Sequence, residues 1–372
     1  MRIETRWILI NGLNGRAEGE SRRDYRLRIV PAVHRAPGPG REANGRVVLW
    51  WLLVSSTTAI PLAPTKVPTV TRRIFQLATL LTFLAVALGS IVCATESGFE
   101  CGNWPGCTAS ALLPSGPVTS FFYKNPWIEM THRTSAILVG PAALAAAVLA
   151  LRLKGAHPLV KVLPWVTVAG ALVAGYFGRL TVLGLPVPAW GGALDLGSAL
   201  AAMAAMVVAT VALERTPTRL SPSRAGSLAW ISVTLMVAMH LVSLFAAGKG
   251  SYTRCLSWPV WELLAADRSA SGSAQVIRIG LAIVATCTVL ATIWYARNQA
   301  TLRGPAVGAG ALLVIVVVFG LVIRVTHSDQ LGVPFSVATV ALVWTQVLLA
   351  ARASLTGWTT SPFGVLPDHP RG

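Results

Sequence analysis

The sequence predicts an all-α, polytopic membrane protein whose eight transmembrane helices form two four-helix bundles related as parallel repeats. Three observations carry this. The 372 residues are 54% hydrophobic and only 12% charged, far from the balance of a soluble domain. Eight apolar runs are long enough for a hydrocarbon core of ~30 Å, which takes about 20 helical residues: 74-94, 132-151, 160-184, 189-213, 226-248, 276-296, 305-325 and 333-351. A Cys, Trp and Pro then recur at one spacing in two loops, CGNWPGC from Cys101 and CLSWPVW from Cys255, which marks a duplication.

Four segments follow in order. Residues 1-71, basic and with the turn cluster PGPGRE, are expected to be a disordered extension, a processed targeting segment being the other reading; the apolar run VVLWWLLVSSTTAIPLAP is too short and polar-ended to span, and no function is read from it. Residues 72-215 are the first half, 216-353 the second, and 354-372 a tail. Only the turn LGLPVPAW separates the third and fourth spans. The parallel tails FGRLTVLGLPVPAWGGALDLGSALA from Phe177 and FGLVIRVTHSDQLGVPFSVATVALV from Phe319 lead each half into its last span.

A formal charge of +17 could signal nucleic acid, yet its distribution fits a membrane better. Arg72, Arg73, Arg152, Lys154, Lys161, Arg215, Arg219, Arg224, Arg297 and Arg303 fall on one side of the spans, against Lys124, Lys249, Arg254 and Arg268 on the other. The positive-inside rule places the N-terminus in the cytoplasm and the loops 95-130 and 249-275 outside. No nucleic-acid partner is expected; membrane lipid is.

The stretch WIEMTHR, 127-133, opens the second span with three ionisable groups. Glu129, His132 and Arg133 stand at i, i+3 and i+4 and share one helix face. A helix start explains Glu129, whose carboxylate suits the positive dipole end, and Arg133 can pair with it. Neither explains His132, which is either a structural histidine or a ligand, since intramembrane histidines mark function by default and imidazole is a common haem ligand. Aligning EMTHRTSAILV with SAQVIRIGLAIV matches Arg133 to Arg278 and puts Ala274 and Ile277 where Glu129 and His132 stand, so the second half lacks those groups.

Cys101 and Cys107 can close a small structural disulfide or act as a labile dithiol; zinc would need two further ligands that the loop does not offer. Cys255 has no local partner, Trp261 standing where a second cysteine would be, and Cys93 and Cys287 read as packing residues in apolar spans. His240, mid-span, is a second-rank ligand candidate, and His327 with Asp329 reads as a solvated turn; His34, His157 and His369 lie in tails or loops. Asp195 should face a bundle interior and pair with Arg179 or with the cluster at His132.

The outer-loop C…WP.C, the E..HR opening the second helix and the tail FG..TV…P…….L.LGSALA together resemble the haem A synthase family over about 280 residues. The resemblance implies a membrane oxidoreductase that converts the C8 methyl of haem O to a formyl group, giving haem A for terminal oxidase assembly, with haem b as a second bound group. It implies catalytic roles for Glu129 and His132, His132 as ligand to haem iron, Arg133 toward a propionate, and a Cys101-Cys107 disulfide. Haem O, haem O synthase and an electron donor are the implied partners, and the cell inner or cytoplasmic membrane the implied site. Where the family's first half has its second histidine this chain has Asp195, a weak oxygen ligand or water-holding group; in the second half the two positions read Ile277 and Val337, so the haem b site is lost. A single axial histidine leaves iron an open position, which oxygen activation needs. The rival expectations are a non-catalytic haem-binding or oxidase-assembly paralogue and a membrane thiol-disulfide protein working through Cys101 and Cys107.

Overall fold

The computed structural model describes residues 67–118, 120–215, 219–220, 223–246, 255–259, 272–326 and 328–356. Most of the basic extension, the tail beyond Thr356, His34, His327, His369, Trp261 and most of the 249-275 loop lie outside the described residues.

Among the described residues eight long helices make up the fold: α1 (Thr69–Ala94), α2 (Pro126–Arg152), α3 (Pro158–Val182), α4 (Ala189–Arg215), α5 (Arg224–Ala246), α6 (Gly272–Ala296), α7 (Ala300–Thr326) and α8 (Gly332–Ser354). Each is long and apolar enough to cross a membrane, as expected for a multi-pass membrane protein. At 1.5 Å per residue even the 23-residue α5 reaches ~34 Å. The sole extended pairing among the described residues is two residues long, Arg219–Leu220 (β1) against Leu355–Thr356 (β2), antiparallel.

Several helices outrun the apolar windows. The α2 helix starts at Pro126, six residues before the window at 132. Asn125 caps it, its side-chain oxygen accepting from the Trp127 and Ile128 amides at 3.1 and 3.3 Å, with proline in the first turn. Glu129 is therefore not the cap. His157 caps α3 by accepting from the Leu159 amide at 3.2 Å; acceptance needs the neutral ring, and burial pushes its pKa down. Gly184, with φ +68°, makes the turn between α3 and α4, where a side chain would be strained.

Helix neighbours repeat in order. In the first half α1 packs on α2 and α4, and α3 on α2 and α4; in the second α5 packs on α6 and α8, and α7 on α6 and α8. Across the halves, α8 lies on α1 and α4, and α5 touches α4. These central helices hold the densest core, including Met203, Met206, Met236, Val343 and Val347.

Buried hydroxyls hold the helices where lipid offers no partner. Thr79 on α1 meets Thr210 on α4 at 2.7 Å, Thr167 on α3 donates to the Ala202 carbonyl at 3.1 Å, and Ser232 on α5 donates to Gln346 on α8 at 3.1 Å. At the basic end Arg215 and Ser223 donate to the carbonyls of Arg352 and Ala353 at 2.8 and 3.0 Å. At the other end Cys93, last turn of α1, is bonded to Cys255 of the second outer loop. This corrects one expectation, for Cys93 is not inert packing; Cys255, which has no local partner, is paired across 162 residues of sequence. Cys287 is exposed on the outer surface of α6.

Candidate functional site

The first outer loop is built onto the head of α2. Cys101 and Cys107 are disulfide-bonded and buried. Glu129 and Arg133, one helical turn apart, form a buried ion pair beneath them. The second Glu129 carboxylate oxygen accepts the Cys101 amide at 2.9 Å. The two terminal nitrogens of Arg133 also donate to the loop backbone, reaching the carbonyls of Asn103 (2.5 Å), Gly106 (2.9 Å) and Cys101 (2.8 Å), while its Nε has no partner. Arg179, near the end of α3, lies over the Trp104 ring at 5.0 Å, a cation–π contact that ties the loop to a second helix. The fork of five donors suits arginine and not lysine to this carbonyl cage.

The second half repeats this arrangement. Arg278 of α6, fully buried, donates to the carbonyl and hydroxyl of Ser257 at 3.1 and 3.0 Å. Ser257 stands two residues after Cys255, as Asn103 stands two after Cys101, so the match of Arg133 to Arg278 is a match of role. Each arginine clamps its C-x-x-W-P loop.

His132 shares neither job. Its ring turns toward α1, against Gly89 and toward the Ala85 backbone; Nδ1 is buried with no hydrogen-bond partner. A Cβ on Gly89 would come within 2.9 Å of the imidazole Cε1, closer than real contacts allow, so only glycine leaves the ring its place. Gly89→Ala is expected to push the ring aside and cost about 1–3 kcal/mol, as overpacking does; unfolding in detergent checks this, and a variant as stable as the parent would refute the packing.

The structure does not gather the remaining candidates around His132. Asp195 is part-buried on α4; its backbone carbonyl accepts from Ser198 at 2.9 Å, and among the described residues no cation is within ion-pair distance of its carboxylate. The expected pairing with Arg179 or the His132 cluster is corrected: Arg179 goes to Trp104, and Arg133 to Glu129 and the loop. Ile277 is 55% exposed on α6, and Val337 is partly buried on α8; neither has a donor atom for iron. His240 is fully buried on α5 with both ring nitrogens unpartnered. Sequence reasoning missed Gly89, whose GS dipeptide in α1 gave no signal apart from its small size, and missed the clamp, because loop carbonyls carry no sequence mark.

Among the described residues no group of three or more His, Cys, Asp or Glu could cage a metal. A haem iron asks less of the protein, since the porphyrin supplies four nitrogens and the chain one or two axial groups. An imidazole with a buried, unpartnered nitrogen fits that demand, a description that both His132 and His240 meet. Comparison with protein-family models and with curated proteins gave no match.

Proposed function

We propose that the chain is a haem-binding membrane oxidoreductase of the haem A synthase type, acting on haem O, in which His132 would hold the haem iron. The observation that carries this reading is the His132 imidazole at the head of α2, whose Nδ1 is buried and unpartnered while the ring is oriented by a hydrogen bond to the Ala85 backbone. When bound, the haem would supply the iron–oxygen chemistry that turns the C8 methyl into a formyl group. The chain's own part is positional. Gly89 gives the imidazole room, the disulfide loop shields the head of α2 from water, and Glu129 with Arg133 keeps that loop seated. Glu129 and Arg133 are positioning residues on this reading, each already engaged by the other and by the loop.

Helix adjacency that repeats from half to half supports two four-helix bundles related as parallel repeats. The basic loops support a cytoplasmic N-terminus and an extracytoplasmic Cys101-Cys107 loop. Haem O, an electron donor and haem O synthase are the proposed partners.

One observation favours a second reading, a non-catalytic haem-binding or oxidase-assembly protein: both Glu129 oxygens are taken, which leaves that carboxylate no evident proton to move. The thiol-disulfide reading is the weaker, because an attacking thiolate needs access and Cys101 and Cys107 are 0% and 4% exposed.

The test is to purify the chain from a host that makes haem O and identify the extracted haem. Haem A in the parent, with bound haem falling at least tenfold in His132→Ala while helicity is kept, is the expected result. Bound haem without haem A selects the second reading, and a parent without haem ends both.

A further inference from the structure

A cleft of about 340 Å³ opens between the start of α5 and the end of α6, lined by Arg224, Ser227, Leu228, Ile231 and Tyr295. It belongs to no part of the site above. Four of its lining residues stand at i, i+3, i+4 and i+7 of α5, one continuous helix face, and they change character along it. Arg224 and Ser227 are polar; Leu228 and Ile231, further into the span, are apolar. At 1.5 Å per residue Ile231 lies about 10 Å deeper than Arg224. The polar layer of a bilayer leaflet is about 5–8 Å thick, so a guanidinium at phosphate level puts Ile231 among acyl chains.

The surroundings mark this level independently. Arg297 lies over the Trp294 ring at 3.5 Å beside the cleft, and Trp230 donates to Ser354 at 3.1 Å. Tryptophan and tyrosine with flanking arginine form the belt that sits at the headgroups. Arg224 is exposed, and among the described residues no carboxylate pairs with it.

We propose that this cleft binds one anionic phospholipid, its phosphate on Arg224 with Ser227 and the Tyr295 phenol as hydrogen-bond partners and one acyl chain along Leu228 and Ile231. A cation at the head of an apolar groove, on the basic face of the molecule, matches that amphiphile in both charge and order. A free phosphate would use only the polar end and leave the apolar half idle.

The experiment is native mass spectrometry of the full chain in detergent, titrated with phosphatidylglycerol or phosphatidylcholine of the same acyl chains. One phosphatidylglycerol should be retained about fivefold more strongly, the ratio equivalent to about 1 kcal/mol per interfacial cation. Arg224→Gln should bring the ratio below about twofold. Ile231→Trp should weaken both lipids by filling the apolar end. Arg303→Gln, on the same basic face outside the cleft, should change nothing. Equal retention of the two lipids, an unchanged ratio in Arg224→Gln, or the same loss in Arg303→Gln would overturn the proposal. So would displacement of phosphatidylglycerol by equimolar inorganic phosphate, which would mark a free-phosphate site.

Discussion

Arg133→Met is expected to destabilise the protein by about 3–5 kcal/mol, the range for removing one partner of a buried ion pair. Methionine keeps the length of the side chain and its packing but leaves the Glu129 carboxylate charged among apolar helices. It also strips three carbonyls, those of Cys101, Asn103 and Gly106, of their donors. Those losses are not equal in kind. The stranded charge can be relieved by a second change, Glu129→Leu, whereas the carbonyls stay unpaired unless water reaches them. The double variant should therefore recover part of the loss and no more. Equilibrium unfolding in mixed micelles measures it, and an Arg133→Met protein within about 1 kcal/mol of the parent would show that the clamp does not hold the loop.

How far the sequence reaches is seen at the same place. Eight spans were legible because the apolarity a bilayer demands is a property of composition over about 20 residues. The head of α2 was not, since Asn125 and Pro126 set it through backbone capping and the polar first turns fall outside any apolar window. The pairing of Glu129 with Arg133 was legible from the i, i+4 spacing, and the match of Arg133 to Arg278 from the repeat. The target of both arginines was hidden: a backbone carbonyl looks the same in every residue. Asp195 failed for a related reason, because a partner for a lone span carboxylate depends on helix rotation, which an almost uniformly apolar helix such as α4 does not encode. Cys93 shows the limit most plainly. Nothing local to α1 distinguishes a packing thiol from one that faces a loop of the other half.

That bond between Cys93 and Cys255 leads to the second large effect, a loss of about 2–3 kcal/mol on replacing both cysteines with serine. Loop-closure entropy for a separation of 162 residues gives about 5 kcal/mol, and the six-residue Cys101–Cys107 loop about 2 kcal/mol. The larger figure is an upper bound for a membrane protein, because unfolded spans stay inserted and their ends remain at the two surfaces. The expected order of the two bridges survives this correction. The short loop stays pinned by the hydrogen bonds of Glu129 and Arg133 when its disulfide is cut, so its loss has a second restraint to fall back on. Among the described residues the Cys93 bridge has thinner support at its end of the molecule. There, the hydrogen bonds that cross between the halves near it are Ser336 to the Ser90 carbonyl at 3.4 Å and Gln330 to the exposed Tyr123 hydroxyl, while the firmer ones, from Arg215 and Ser223, lie at the opposite end. Cys93→Ser with Cys255→Ser should thus lower stability more than Cys101→Ser with Cys107→Ser in the same micelles. It should also leave the Arg133 clamp intact, so that Cys101 and Cys107 remain bridged and resist alkylation. A larger loss from the short bridge would mean that the halves are held by helix packing along α1, α4 and α8 alone, and that the long disulfide merely records their proximity.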